Sequence, residues 1–390
     1  MTVSATLTGG QMIARLTRTL AWSGVLLGAF SGSAFAAKKL PKFVQNGNAG
    51  FVVTNIQYAL AKDAAETGVC PEGLTPPHPA PESRTPGQRD NPTGPTPCAN
   101  PEAFGPDPSF RTVKSRDVKG FGIDIDGRRT SAKSKVPGTC SHDDLIGMNG
   151  ERGIDNQFYR AVGCLRGYQS TGQGNTFEKE MHTGSWGILI TLSGVDDLRT
   201  DDTVEVTFFA NADPIELSSQ REPLPYATYA IDRDPRFQAK TRGRIQDGIL
   251  TTEPVDVRFR KVTNAMYLER PLIGAVAKMT LSDEGVLQGY LAGYTPVEAM
   301  YDFEFAFRNA KTGGGEPADP RRIANSSRGR AANMHYTCNG IYHALRDLAD
   351  GTPDPETGRC TSVSTQYEIK AIPAFVVNAA TKSSNEDLNR

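Results

Sequence analysis

The sequence predicts a mainly β protein: a disulfide-stapled, β-sandwich-like domain with two or three peripheral α-helices and a long proline-rich loop. Short apolar runs with strand-like alternation recur from Phe51 to Val377, and 39 glycines and 26 prolines punctuate them. The cysteines number six, an even count: Cys70, Cys98, Cys140, Cys164, Cys338 and Cys360. Helical periodicity is confined to a few stretches, too few for an α/β succession.

Residues 1–36 read as a secretory signal peptide. Arg15 and Arg18 give a positive start, Leu20 to Phe30 an apolar centre, and Ala34-Phe35-Ala36 a small-residue cleavage site. Export implies an oxidising compartment, periplasm or extracellular medium, where six cysteines read as three disulfides. Sequential pairing is expected: Cys70–Cys98, Cys140–Cys164 and Cys338–Cys360. Removing 1–36 takes away two arginines and no acid, moving the formal charge from −1 to −3. A balance so near neutral argues against nucleic acid as a partner. No later apolar run is long enough for a membrane-spanning helix after signal cleavage.

Residues 37–110 should hold one strand, Phe51 to Leu60, then a proline-rich loop. Between Cys70 and Pro108 stand twelve prolines, which forbid helix interior and central strand alike. Residues 111–378 form the β-rich domain, and 379–390 a polar tail. Asp155 to Leu165 reads as a helix, with Phe158, Ala161, Val162 and Leu165 on one face, Asp155 as N-cap and Gly167 past the end. Strands follow at Trp186 to Ser193, Thr203 to Ala210, Tyr226 to Ile231, Val255 to Arg260, Ala265 to Leu268, Ile273 to Leu281 and Val286 to Leu291. Ser282 to Gly285 is the loop of a hairpin. Thr295-Pro296-Val297-Glu298 has the form of a capping box, and the helix after it should run on to Gly313. A further helix is expected over 330–349, and a last strand over 366–377.

The segment from Val118 to Tyr168 concentrates hard oxygen donors. Asp124, Asp126, Asp143, Asn149, Asp155 and Asn156 are the candidate metal ligands, with Gly147, Gly150 and Gly153 between them. Calcium takes six to eight oxygens from such side chains and from backbone carbonyls. The spacing is not that of an EF-hand, since a loop begun at Asp124 places Arg129 where glycine belongs. Gly150-x-x-Gly153-Ile154-Asp155-Asn156 before a helix, and Thr357 to Ser364, loosely resemble a pattern of secreted proteins and lipoproteins of bacteria. The resemblance covers a small part of the chain and implies no activity.

Nucleophile-elbow, H-E-x-x-H, Walker A and dinucleotide motifs are absent from the sequence. Glu178 and Glu180, read as sharing one strand face, are the weak candidates for carboxylate catalysis. Tyr226, Tyr229, Tyr290 and Tyr294 are candidate platforms for a sugar. Together these features point to a calcium-stabilised, non-catalytic module that binds a glycan, surface polymer or partner protein. The alternatives are a secreted polysaccharide hydrolase or lyase, and a structural component of an envelope assembly.

Overall fold

A computed structural model describes residues 40–61, 68–77, 96–129, 140–174, 177–183, 186–211 and 213–378. The segment 1–36 expected to be a signal peptide, the expected polar tail 379–390 and the centre of the proline-rich loop lie outside the described residues. The strands are β1 (Asn48–Tyr58), β2 (Lys119–Gly120), β3 (Leu145–Gly147), β4 (Arg152–Ile154), β5 (Gly187–Ser193), β6 (Thr200–Asn211), β7 (Thr228–Ala230) and β8 (Gln238–Gln246). They continue with β9 (Ile249–Thr252), β10 (Val255–Thr263), β11 (Met266–Leu281), β12 (Leu287–Pro296), β13 (Gly351–Pro353), β14 (Cys360–Pro373) and β15 (Phe375–Val377). The helices are α1 (Gln157–Val162), α2 (Phe177–His182), α3 (Val297–Met300), α4 (Pro320–Met334) and α5 (Cys338–Asp347). A π-helical segment, Tyr301–Ala306, extends α3.

The predicted class holds: the chain is mainly β, antiparallel, disulfide-bonded, with few helices. Its large sheet runs β1-β5-β6-β8-β9-β11-β12-β14, and β1 pairs with β14 as well. The first half of β1 faces β5, with Asn48 opposite Ser193, and its second half faces β14, with Tyr58 opposite Tyr367. The two layers of the expected sandwich therefore share both edges, and the sheet closes on itself.

Alternation decides the faces. On β11, Met266, Leu268, Leu272, Ala277, Met279 and Leu281 are buried. On β8, Lys240, Arg242 and Arg244 point out to solvent while Ile245 points in. Charged-out, apolar-in is the opposite of a lipid-facing barrel wall. Among the described residues, no helix is long and apolar enough to cross a membrane.

Several expectations need correction. The two runs on either side of Pro271 are one strand, β11, because Pro271 takes a place in the pairing with β10. The helix expected over 330–349 is two helices, α4 and α5, broken at His335, whose φ is 57°. The capping box is not formed. Thr295 lies within the last residues of β12, with its buried hydroxyl unpartnered among the described residues, and Glu298 instead accepts from Tyr342 Oη at 2.7 Å. The helix expected from Asp155 is α1, two residues later and shorter. Asn156 is its N-cap, accepting from Tyr159 N–H, and Gly163 closes it in place of Gly167.

The sequential disulfide pairing is overturned. The bonds are Cys70–Cys164, Cys98–Cys338 and Cys140–Cys360, separated by 94, 240 and 220 residues. The described ends of the proline-rich loop are tied to the helical cap, not to each other. Tyr301 Oη also donates to the Cys98 carbonyl at 3.1 Å. Three disulfides and no free cysteine fit an oxidising, exported compartment. Peptide mapping of the unreduced, protease-digested protein should recover the Cys98–Cys338 crosslink. A Cys70–Cys98 crosslinked peptide in its place would contradict this topology.

Candidate functional site

Gln366 organises the acidic segment. It stands on the outer face of β14 with its side chain buried beneath the chain that crosses over it. Its Oε1 accepts from Ile123 N–H at 3.1 Å, and its Nε2 donates to the carbonyls of Ile123 and Asp155, both at 2.7 Å. One amide thus clamps the Asp124–Asp126 loop against the entrance of α1. Two tight turns shape that loop: Gly127 N–H donates to Asp124 Oδ1 at 2.6 Å and Arg128 N–H to Asp126 Oδ1 at 2.7 Å. Gly153, at φ 92°, leaves room for Asp124, since a Cβ there would sit 3.0 Å from Asp124 Oδ2.

The result brings three of the six candidate ligands together. Carboxylate oxygens of Asp124, Asp126 and Asp155 all lie within 4.8 Å of one another. Asp124 and Asp126 are exposed, while Asp155 is 6% exposed. Oδ2 of Asp155 accepts from Ile125 N–H at 2.7 Å. The cluster could hold a metal ion, and its donors are all oxygen, the set a hard cation takes.

The electrostatics show the strain of the arrangement. Burial pushes the Asp155 carboxyl up to about 8, with Asp126, Asp144 and Asp350 adding repulsion against the help of the Ile125 N–H. Asp350, which accepts from Ser364 N–H at 2.6 Å, is pushed up to about 7 by burial, and Asp126 adds to the rise. The Tyr294 hydroxyl is raised by burial and by the charges of Asp155, Asp350, Asp126 and Asp124. Among the described residues no lysine or arginine forms an ion pair with Asp124, Asp126, Asp155 or Asp350. Asp350 lies almost two hundred residues from the acidic segment in the chain and was not among the candidates.

The other three candidates do different work. Asn156 caps α1, and its Nδ2 donates to the Ala59 carbonyl at 2.8 Å. Asn149 sits in the exposed turn between β3 and β4 and bonds to Glu151. The backbone carbonyl of Asp143 accepts from Arg160 Nη2 at 3.0 Å, helping to hold that arginine over α1. Glu178 and Glu180 lie on the helix α2, where residues two apart do not face each other. That corrects the shared strand face expected of them. Glu180 is also engaged: it accepts from Thr263 Oγ1 at 2.9 Å and Trp186 Nε1 at 3.3 Å. The Glu178 side chain lies outside the described residues. Of the four tyrosines, Tyr229 is buried, Tyr290 and Tyr294 are half-buried and Tyr226 is exposed.

A cleft of about 820 Å³ adjoins the acidic cluster. Gly120 to Asp124 form part of one wall, and the outer faces of β8, β9, β11 and β12 form the floor. Arg152, Arg244, Lys278, Gln288 and Tyr290 line it. A neighbouring cleft of about 610 Å³ shares Phe121, Thr280, Gln288, Gly289 and Tyr290 with it. These volumes match those of ligand sites.

A second polar cluster is sealed inside the sheet. Glu304, from the π-helical segment, is fully buried. Its Oε2 accepts from Lys261 Nζ at 2.7 Å and from Tyr58 Oη at 3.2 Å. Its Oε1 accepts from Tyr168 Oη at 2.9 Å and from the Arg330 guanidinium. Burial alone would raise the Glu304 carboxyl, yet Arg330 and Lys261 hold it down at about 2. Burial lowers Lys261 to about 8 against the pull of Glu304. Arg270, 1% exposed, has no hydrogen bond to its guanidinium among the described residues. It packs instead against aromatic faces, 4.4 Å from the Phe177 ring centre and 5.1 Å from those of Trp186 and Phe303. This cluster ties the strands to α4 and to the extension of α3.

No protein-family model, curated protein or solved structure matches this chain.

Proposed function

We propose that this is an exported, non-catalytic binding module, of the periplasm or the extracellular medium. A calcium ion held by Asp124, Asp126 and Asp155 would stiffen one wall of its ligand cleft. One observation carries the proposal: Asp124 belongs both to the convergent carboxylates and to the lining of the 820 Å³ cleft. A cation that fixes the 121–126 loop fixes the cleft wall with it. Calcium suits the donors better than a transition metal, because all three side chains offer oxygen and none offers nitrogen or sulfur. A glycan or surface polymer suits the lining, which mixes amides, hydroxyls and charges around Tyr290 and extends into the neighbouring cleft.

Thermal unfolding of the oxidised protein tests the cation. Calcium should raise the melting temperature by several degrees relative to chelator, and the rise should vanish in Asp124→Asn/Asp126→Asn. Equal melting temperatures with calcium and with chelator would remove the cation from the proposal.

A further inference from the structure

Four large hydrophobic side chains are exposed among the described residues: Met148, Leu224, Tyr226 and Phe375. Two of them form one pair, and a third, Leu224, stands two residues from it. The rings of Tyr226 and Phe375 lie 6.3 Å apart at 45°, with the residues 45% and 43% exposed. Sequence distance does not bring them together; the backbone does. Tyr226 N–H donates to the Pro373 carbonyl at 2.7 Å, and Phe375 N–H to the Ala227 carbonyl at 2.9 Å. From there β15 runs parallel to β7, with Phe375 opposite Thr228. Tyr226 holds φ at 64°, a left-handed conformation that a bulky residue rarely adopts. The fold keeps a strained backbone here while leaving the ring in water.

The pair opens onto a cleft of about 450 Å³ that, among the described residues, has none in common with the two clefts beside the acidic cluster. Among the described residues, no charged side chain lines it. Its polar groups are the amides of Gln45, Asn46 and Asn48 and the hydroxyls of Thr191 and Ser193. The three amide residues are exposed and the two hydroxyl residues half-buried. In a chain with 22% charged residues, a surface cleft whose described lining holds none is a specific environment. Flat aromatic faces with neutral donors and acceptors are complementary to the C–H faces and hydroxyl rims of an uncharged sugar. They offer nothing to balance a phosphate, sulfate or carboxylate.

Resting on the carbohydrate reading above, we infer that Tyr226 and Phe375 form a stacking site for a neutral sugar unit. The site is distinct from the cation-bordered cleft. It assigns the uncharged part of the ligand to the β7–β15 face.

The experiment titrates the full oxidised protein with maltohexaose, cellohexaose and laminarihexaose. Calorimetry measures affinity, and saturation-transfer NMR with irradiation of the aromatic protons identifies which sugar protons lie against protein rings. At least one hexasaccharide should bind. Tyr226→Asn, which keeps a residue tolerant of positive φ, should weaken it about tenfold, the scale of one lost aromatic stack. Phe375→Ser should act in the same direction, and Tyr226→Phe should retain most of the affinity. Chelator should leave this binding unchanged. Failure of all three sugars to bind at millimolar concentration would overturn the inference. So would unchanged affinity in both Tyr226→Asn and Phe375→Ser. Binding lost in Tyr290→Ala but kept in Tyr226→Asn would sink the stacking site while leaving the proposed cleft standing.

Discussion

Glu304→Ala is expected to cost about 3–5 kcal/mol of folding stability, the usual penalty for removing one partner of a buried ion pair. The denaturant midpoint is the measurement. Glu304 is the carboxylate that Lys261 and Arg330 both contact, and Tyr58 and Tyr168 donate to it as well. Without it, two cations and two hydroxyls are left in a dry interior beside Arg270, with Glu180 as the nearest remaining acid in the cluster. Glu304→Gln keeps the shape but not the charge, so it isolates the electrostatic part. The pH dependence follows from the depressed carboxyl. Its folded pKa, about 2, lies below its ordinary value of 4.5, so its contribution is present above pH 4.5 and is lost as pH falls towards 2. Wild-type protein should therefore lose stability across that acid window, and Glu304→Gln should lose less over the same range. A Glu304→Gln variant as stable as wild type, with an identical acid limb, would mean that the cluster contributes packing alone.

Part of this cluster was legible in the sequence, and part was not. Val255, Val257, Phe259 and Lys261 occupy alternate positions, as do Met266, Leu268, Arg270 and Leu272. Each run places one cation on the apolar face, and that alternation alone marks Lys261 and Arg270 as buried. The partner was hidden. Glu304 sits in a stretch where the helix expected after Thr295–Glu298 competes with a strand-like alternation of aromatics and acids; its turns are π-helical, and a wider turn obeys neither the period of 2 nor that of 3.6. The class of the fold could be read from turn residues and short apolar runs. Closure of the sheet could not, because it depends on β1 meeting β14 across more than three hundred residues. Strands β8 and β9 escaped because β8 is mostly polar. Its outer face is fully charged or amide, and Gly243 takes one of the inner positions. The Asp247-Gly248 turn between them, with both φ positive, was the usable signal for that hairpin. Local chemistry also located the acidic site: Asp-x-Asp-Gly and Gly-x-Asp-Asn mark turns that aim carboxylates. Asp350 and Gln366 complete it from the far end of the chain, and only the fold brings them there.

The acidic site makes the second large prediction. In chelator, stability should fall as pH rises, and calcium should reverse much of that fall. The Asp155 carboxyl has a folded pKa of about 8 against an ordinary 3.8, because burial and neighbouring acids oppose its charge. The folded state therefore holds a proton that the unfolded state has released. Stability from this group is complete below pH 3.8 and is lost progressively as pH rises to about 8. Asp350 acts in the same sense up to about pH 7. Each unit of difference corresponds to about 1.4 kcal/mol, so together the two groups can cost the cation-free protein several kcal/mol. A calcium ion bound as proposed would replace the proton and relieve the repulsion, so its stabilising effect would grow with pH. The calcium-induced rise in melting temperature should be small near pH 5 and large near pH 8. Asp155→Asn should make the cation-free protein more stable than wild type at the higher pH and abolish most of the calcium response. A calcium shift equal at both pH values, or undiminished in Asp155→Asn, would place the ion elsewhere and leave Asp155 as a buried acid that bonds Ile125 and holds the loop on its own.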